Sequence, residues 1–296
     1  LVACVALLEV GAQPLIRAAV PDDDAWGSAA AFVRARYRPT DRIVAAPLWA
    51  DPIVRHHLGD LLSFSMAAPS DAAGIDRVWE LSIRGAVSRS DPPDIEEDFG
   101  GVRVRMWRLS PENIEYDFVD HVTQAEVELV GPEGPGRCPY RKVQTDRGGL
   151  GRGPMAPDSR FVCDGRRPWL WVGQTVLADL ELRPRRCIWQ HPAGPEPLRV
   201  TFYDVPLGDR LVVHAGIDYT AERQQIYAPV TLRVFIDGQV AGELVHGDGE
   251  GWSQTEIDTS KLGPGPSAVR FETTTSDPKA RLFCWAASTR SRSRDD

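Results

Sequence analysis

Asp51, Arg55 and His56 are spaced so that a helix beginning near residue 51 gathers a carboxylate, a guanidinium and an imidazole, with Trp49 just ahead of them. Such a group can hold a sugar or a phosphate, and an imidazole can carry protons near neutral pH. The same residues have a simpler reading. Asp51 followed by Pro52 is an N-cap with proline at the first helical position, and His57 falls on the apolar stripe of Ile53, Val54, Leu58 and Leu61. The last third of the chain offers a different chemistry. Tyr219, Tyr227 and Trp285 are rings on which an apolar face could stack, and Asp218 and Asp248, with Glu250, could accept hydroxyl groups beside them. Trp252, after Gly249-Glu250-Gly251, reads better as a plug at one end of a core.

Signatures of stronger chemistry are absent. The chain has no Gly-x-Ser-x-Gly, no His-Glu-x-x-His and no EF-hand loop, and the Gly-rich run 148–153 lacks the Lys-Ser/Thr of a phosphate loop. Asp22-Asp23-Asp24 is explained by a helix start, and carboxylate pairs such as Glu96/Glu97 lie in hydrophilic loops. No catalytic residue, metal site or cofactor is expected.

The elements that would position these residues fall into two styles. From 21 to 130 the pattern runs helix (Trp26, Ala29, Ala30, Val33 and Tyr37 at spacings of three and four), strand (Ile43 to Ala46), helix from 51, then strand (Arg77 to Ile83), as in a small Rossmann-like α/β unit with parallel strands. Residues 91–98 read as an acidic loop, Val102, Val104 and Met106 as a strand with a wet arginine face, 112–124 as a short helix, and 125–129 as a strand. Beyond residue 200, apolar/polar alternation recurs about every ten residues between turn signals such as Asp237-Gly238, with Phe202, Phe235, Phe271 and Phe283 in the inward phase. The expected fold class is α+β, mainly β. It comprises an α/β unit at 21–130, a Gly/Pro/Arg-rich connection at 131–180, an antiparallel, jelly-roll-like β-sandwich at 181–288, and a disordered tail at 289–296. Residues 1–20 would be a packed apolar segment or the end of a transmembrane helix, since Leu1–Val10 is apolar apart from Glu9.

Composition narrows the partners. A net charge of -8 has the wrong sign for neutralising phosphates, so nucleic acid is excluded as a partner. The five cysteines form no CxxC and no zinc spacing. Cys138 and Cys163 bracket a stretch too rich in Gly and Pro to pack a core. Cys187 and Cys284 open the first sandwich strand and lie in the last, which are neighbours in many sandwiches. Two disulfides would leave Cys4 over and imply an oxidising compartment; buried free thiols are the alternative.

Two stretches resemble known families. Residues 26–64, through Arg42-Ile43-Val44-Ala45-Ala46-Pro47-Leu48-Trp49 and Arg55-His56-His57-Leu58-Gly59-Asp60, resemble the extracytoplasmic part of multi-pass membrane glycosyltransferases, which take lipid-linked sugar donors. Residues 230–238, continuing through Trp252, Ile257-Asp258 and Arg270-Phe271, are similar to galactose-binding-like and jelly-roll modules. The resemblance implies a non-catalytic carbohydrate- or envelope-binding region, accessory to a glycosyltransferase, extracytoplasmic and tethered at its N-terminus. A glycan or lipid-linked sugar and the parent's membrane domain would be its partners. An enzyme acting on a phosphorylated sugar through Asp51, Arg55 and His56, and a sandwich that binds another protein, are the competing expectations.

Overall fold

The computed structural model describes residues 20–62, 64–110, 112–143, 156–263 and 265–291. These form two compact units: one from 20–67 and 74–110, the other from 68–73 and 112–291.

In the smaller unit, helix α1 (Asp23–Arg34) starts at Asp22, whose carboxylate accepts from Ala25 N at 2.9 Å. Trp26, Ala29, Ala30 and Val33 form its buried stripe. Strand β1 (Asp41–Ala46), helix α2 (Asp51–Leu58) and strands β2 (Arg77–Ser82), β3 (Ile95–Phe99) and β4 (Val102–Arg108) follow, in sheet order β1-β2-β4-β3. Only β1 and β2 run parallel, so the Rossmann-like likeness is confined to that pair. Two buried ion pairs hold the sheet. Asp41 binds Arg77 at 2.6 Å and accepts from the Trp79 indole at 2.9 Å, and Glu80 binds Arg105 at 2.7 Å. Arg105, expected on a wet face, is therefore buried because β2 brings it a carboxylate.

The larger unit is a sandwich of two sheets whose strand pairings are all antiparallel. Its strands are β5 (Asn113–Asp117), β6 (Glu126–Gly131), β7 (Gly134–Arg137), β8 (Tyr140–Lys142), β9 (Ser159–Val162), β10 (Trp171–Ala178), β11 (Pro184–Gln190), β12 (Leu198–Val205), β13 (Arg210–Ile217), β14 (Val230–Ile236), β15 (Gln239–His246), β16 (Ser253–Asp258), β17 (Ser267–Thr275) and β18 (Phe283–Ser291). One sheet runs β16-β13-β18-β11-β10-β9-β8, with β5 beside the far half of β18. The other runs β15-β14-β17-β12-β6-β7. A single apolar core draws Val200, Phe202, Leu232, Val234 and Phe271 from one sheet and Ile188, Val213, Phe283 and Trp285 from the other. The β14–β15 hairpin turns on Asp237 and Gly238, both at positive φ, the geometry that an Asp-Gly pair favours.

The sandwich is larger than the spacing predicts. It takes in β5 to β10, so of the expected helix 112–124 the stretch Asn113–Asp117 is strand and Val122–Gln124 alone turns helically, and the supposed connection 131–180 contains four strands. These short segments carry little alternation of their own and are held by their neighbours in the sheet. The acidic loop 91–98 runs into β3, and residues 289–291 belong to β18. Phe235 departs from the inward phase: it lies half-buried beneath the Arg270 guanidinium at 4.2 Å, while Val234 and Ile236 point to the core. The apolar N-terminal segment up to residue 19, the Gly-rich run 148–153 and the tail from 292 lie outside the described residues.

Disulfides join Cys138 to Cys163 and Cys187 to Cys284. They suit a secreted or extracytoplasmic domain. No helix among the described residues is long and apolar enough to cross a membrane.

Candidate functional site

Three connections meet at one end of the sandwich: 218–229 between β13 and β14, 247–252 between β15 and β16, and 276–282 between β17 and β18. Their base is a buried polar network. Asp218 caps the single helical turn Tyr219–Glu222, accepting from Thr220 N at 3.0 Å and Thr220 Oγ1 at 2.5 Å. Glu222, fully buried, accepts from Gly251 N at 2.6 Å and lies 3.3 Å from His246 Nε2, while His246 Nδ1 is 3.1 Å from Ser253 Oγ. Asp248 accepts from Tyr227 N at 3.0 Å and pairs with the buried Arg281 at 2.9 Å. Arg281 in turn donates to Ala228 O at 3.0 Å, and its guanidinium lies 4.9 Å from the centre of the Tyr227 ring.

This network fixes what the loops present. Tyr227 is clamped by Asp248 at its backbone, by Arg281 beneath its ring, and by its hydroxyl, which donates to Gln224 Oε1 at 3.1 Å. Tyr219 is half-buried, with the Arg223 guanidinium 5.8 Å from its ring. Around them Gln224, Gln225, Ile226, Glu250 and Lys279 are exposed. The rim therefore offers aromatic faces beside amide, carboxylate and ammonium groups, and the order beneath it is already in place before any ligand arrives.

The structure redistributes the expected roles. Tyr219 and Tyr227 stay at the rim. Asp218 and Asp248 are the base that shapes it, since both carboxylates are already engaged within the fold. Trp285 is not a platform: it is 0% exposed, stacks on Phe271 at 4.0 Å and donates to Gln190 Oε1 at 2.7 Å. Its place follows from the strand period, because Phe283, two residues earlier, faces the same core. Close to the network, His191 is buried with Nδ1 2.8 Å from Pro192 O and its ring 4.5 Å from Trp169. Burial, aided by the positive charge of Arg281 and opposed by the Pro192 carbonyl, pushes its pKa down to about 4.

Trp252, half-buried, packs against the sandwich core; it lies parallel to His214 at 6.1 Å, and its indole donates to Ser70 O at 2.8 Å. His214 sits on the face of β13 opposite Val213 and Ala215, where sequence inspection missed a second polar cluster. Asp71 lies 3.4 Å from His214 and 2.5 Å from Arg290, and Arg290 pairs with Glu112 at 2.9 Å. Burial alone would raise the Asp71 carboxyl, but Arg290 and His214 outweigh it and hold it below the usual range. Burial pushes His214 down against the pull of Asp71. No local signal could have revealed this group, because its members come from four distant parts of the chain.

In the smaller unit the expected trio does not converge. Asp51 occupies the first turn of α2 and makes no side-chain cap; the residue preceding the helix is Ala50. Its carboxylate pairs with Arg55 one turn on, and both are substantially exposed. His56 is exposed and meets the edge of His57 at 5.0 Å. Trp49 is 59% exposed, with the Arg84 guanidinium 5.5 Å from its ring.

No family model and no curated protein matches the chain. Among solved structures, it is similar to the CBM51-2 and INT domains of Clostridium perfringens ZmpB in complex with GlcNAc, at 11% identity and a TM-score of 0.32, over 73% of this chain and 41% of that one. It is similar to the CBM51 of Clostridium perfringens GH95 in complex with methyl-galactose, at 10% identity and a TM-score of 0.29, over 40% of this chain and 81% of that one. A third likeness is to the CBM36-1 domain of a multidomain xylanase from the hindgut metagenome of Trinervitermes trinervoides, at 11% identity and a TM-score of 0.21, over 56% and 92% of the two chains. The chain thus spans under half of the ZmpB structure, and overlaps this loose assign neither ligand nor activity.

Proposed function

We propose that the larger unit is a carbohydrate-binding β-sandwich whose glycan site is the loop end carrying Tyr219 and Tyr227. The observation that carries this reading is the clamped, half-exposed Tyr227 ring over the buried Asp248–Arg281 pair. A sugar ring stacks its C–H face on such a surface without having to order it first, and Gln224, Gln225, Glu250 and Lys279 supply donors and acceptors for hydroxyls. The test is a glycan array on the full chain followed by calorimetry, with N-acetylglucosamine and methyl-galactoside among the probes. Tyr227→Ala should weaken the best glycan about tenfold, and Tyr219→Ala by a similar factor. If both variants bind every sugar as the parent does, or the parent binds none, the reading fails.

The finer reading makes the chain an extracytoplasmic, non-catalytic region of a multi-pass glycosyltransferase, serving to hold glycan near a membrane-embedded centre. It rests on the resemblance of residues 26–64. It requires that the isolated chain transfer no sugar from a lipid-linked donor. The competing enzyme reading loses its support where Asp51 and Arg55 neutralise each other on an exposed helix face.

A further inference from the structure

Helices α1 and α2 of the smaller unit contribute to a group of side chains that lies far apart in sequence. Asp23 stands in the first turn of α1, and His56 and His57 in the last turn of α2. One ligand atom from each lies within 4.8 Å of the other two. His57 Nε2 is 3.2 Å from Asp23 Oδ1, yet it is shielded from solvent and completes no hydrogen bond. The helices that carry the group are pinned together, since Arg34 donates to His57 O at 2.8 Å and pairs with Asp60 at 2.5 Å.

We propose that Asp23, His56 and His57 form a binding site for a divalent transition-metal ion of the zinc class. Two imidazoles with one carboxylate are a donor set that suits zinc, nickel or copper, whereas calcium and magnesium call for oxygen ligands throughout. Tetrahedral coordination at zinc places donor atoms about 3.3 Å apart. The three ligand atoms lie within 4.8 Å of one another, and rotation of the exposed Asp23 and His56 side chains would draw them to the tetrahedral spacing. A bound cation would satisfy His57 Nε2, whose lone pair or proton otherwise has no well-aligned partner. Water would complete the shell on the open side. A plain contact between His57 and Asp23 at a helix crossing accounts for two of the three residues and gives His56 no part.

That difference decides the test. Zinc chloride is titrated calorimetrically into the full chain carrying no histidine tag, and cobalt(II) is added separately to read its visible absorption. Saturation at about one equivalent is expected, with His56→Ala and Asp23→Asn each weakening zinc at least tenfold and removing the cobalt band. Both residues are exposed, so these variants should keep the parent's melting temperature without metal, and zinc should raise that temperature only in the parent. Absence of zinc binding, or equal affinity in His56→Ala, overturns the proposal. The glycan measurements above are made with chelator present, so the two readings fail independently.

Discussion

His191 shows how a single side chain couples the candidate site to acidity. Its ring is buried among Trp169, Trp189 and the Pro192 carbonyl, and it stays neutral down to about pH 4, against 6.5 for an unperturbed imidazole. Above pH 6.5 both folded and unfolded chains carry it neutral, and its full contribution is present. As pH falls from 6.5 towards 4, the unfolded chain takes up a proton that the folded chain refuses, and stability drops by on the order of 3 kcal/mol. Urea midpoints measured across that window should decline in the parent and decline less steeply in His191→Gln. An unchanged slope would show that the ring titrates freely in the folded state. Because Arg281 is one cause of the depression, the same proton would arrive next to the network that supports Tyr227.

At the scale of elements, the connection from β12 to β13 passes hard against the backbone of β18. Gly208 has φ +33°, and a Cβ there would lie 2.4 Å from Arg290 O, the same carbonyl that accepts from Asp209 N at 2.7 Å. The obstacle is strand backbone, which cannot rotate away. Gly208→Ala should therefore cost about 2–4 kcal/mol in chemical denaturation, more than Gly238→Ala, where the positive φ of +81° alone opposes a side chain and no atom lies within 4 Å. Elements with strong periodicity were legible from sequence: the α1 stripe, the Asp237-Gly238 hairpin, and the alternation in β12, β13 and β14. What escaped has a physical reason in each case. Strands β7, β8 and β9 have three or four residues, too few to show a period, and depend on sheet neighbours and the Cys138–Cys163 bridge. Thr289 to Ser291 reads as a polar tail because the carboxylates that neutralise Arg290, on Asp71 and Glu112, lie far off in sequence. In the candidate site, the tyrosine-bearing loop was visible as a loop, while the engagement of Asp218 and Asp248 depended on partners that only the fold brings near. Trp285 could have been excluded from its phase with Phe283 alone.

For the larger unit as a whole, the Cys187–Cys284 bridge matters more than its local geometry suggests. It ties together residues 97 apart, joining β11 to β18 at the middle of the larger sheet. Removing a cross-link over that span relaxes the unfolded chain, and Cys187→Ala with Cys284→Ala should lower stability by about 4 kcal/mol, read as a fall in melting temperature. The shorter Cys138–Cys163 link, 25 residues apart, should cost less by the same measure. β18 itself has β13 along one edge, with β11 and then β5 along the other. The keystone of the sheet is thus the strand that leaves the ribosome after all its partners. Until residue 291 emerges, the edges of β11 and β13 that β18 will cover stay unpaired and open to association with other chains.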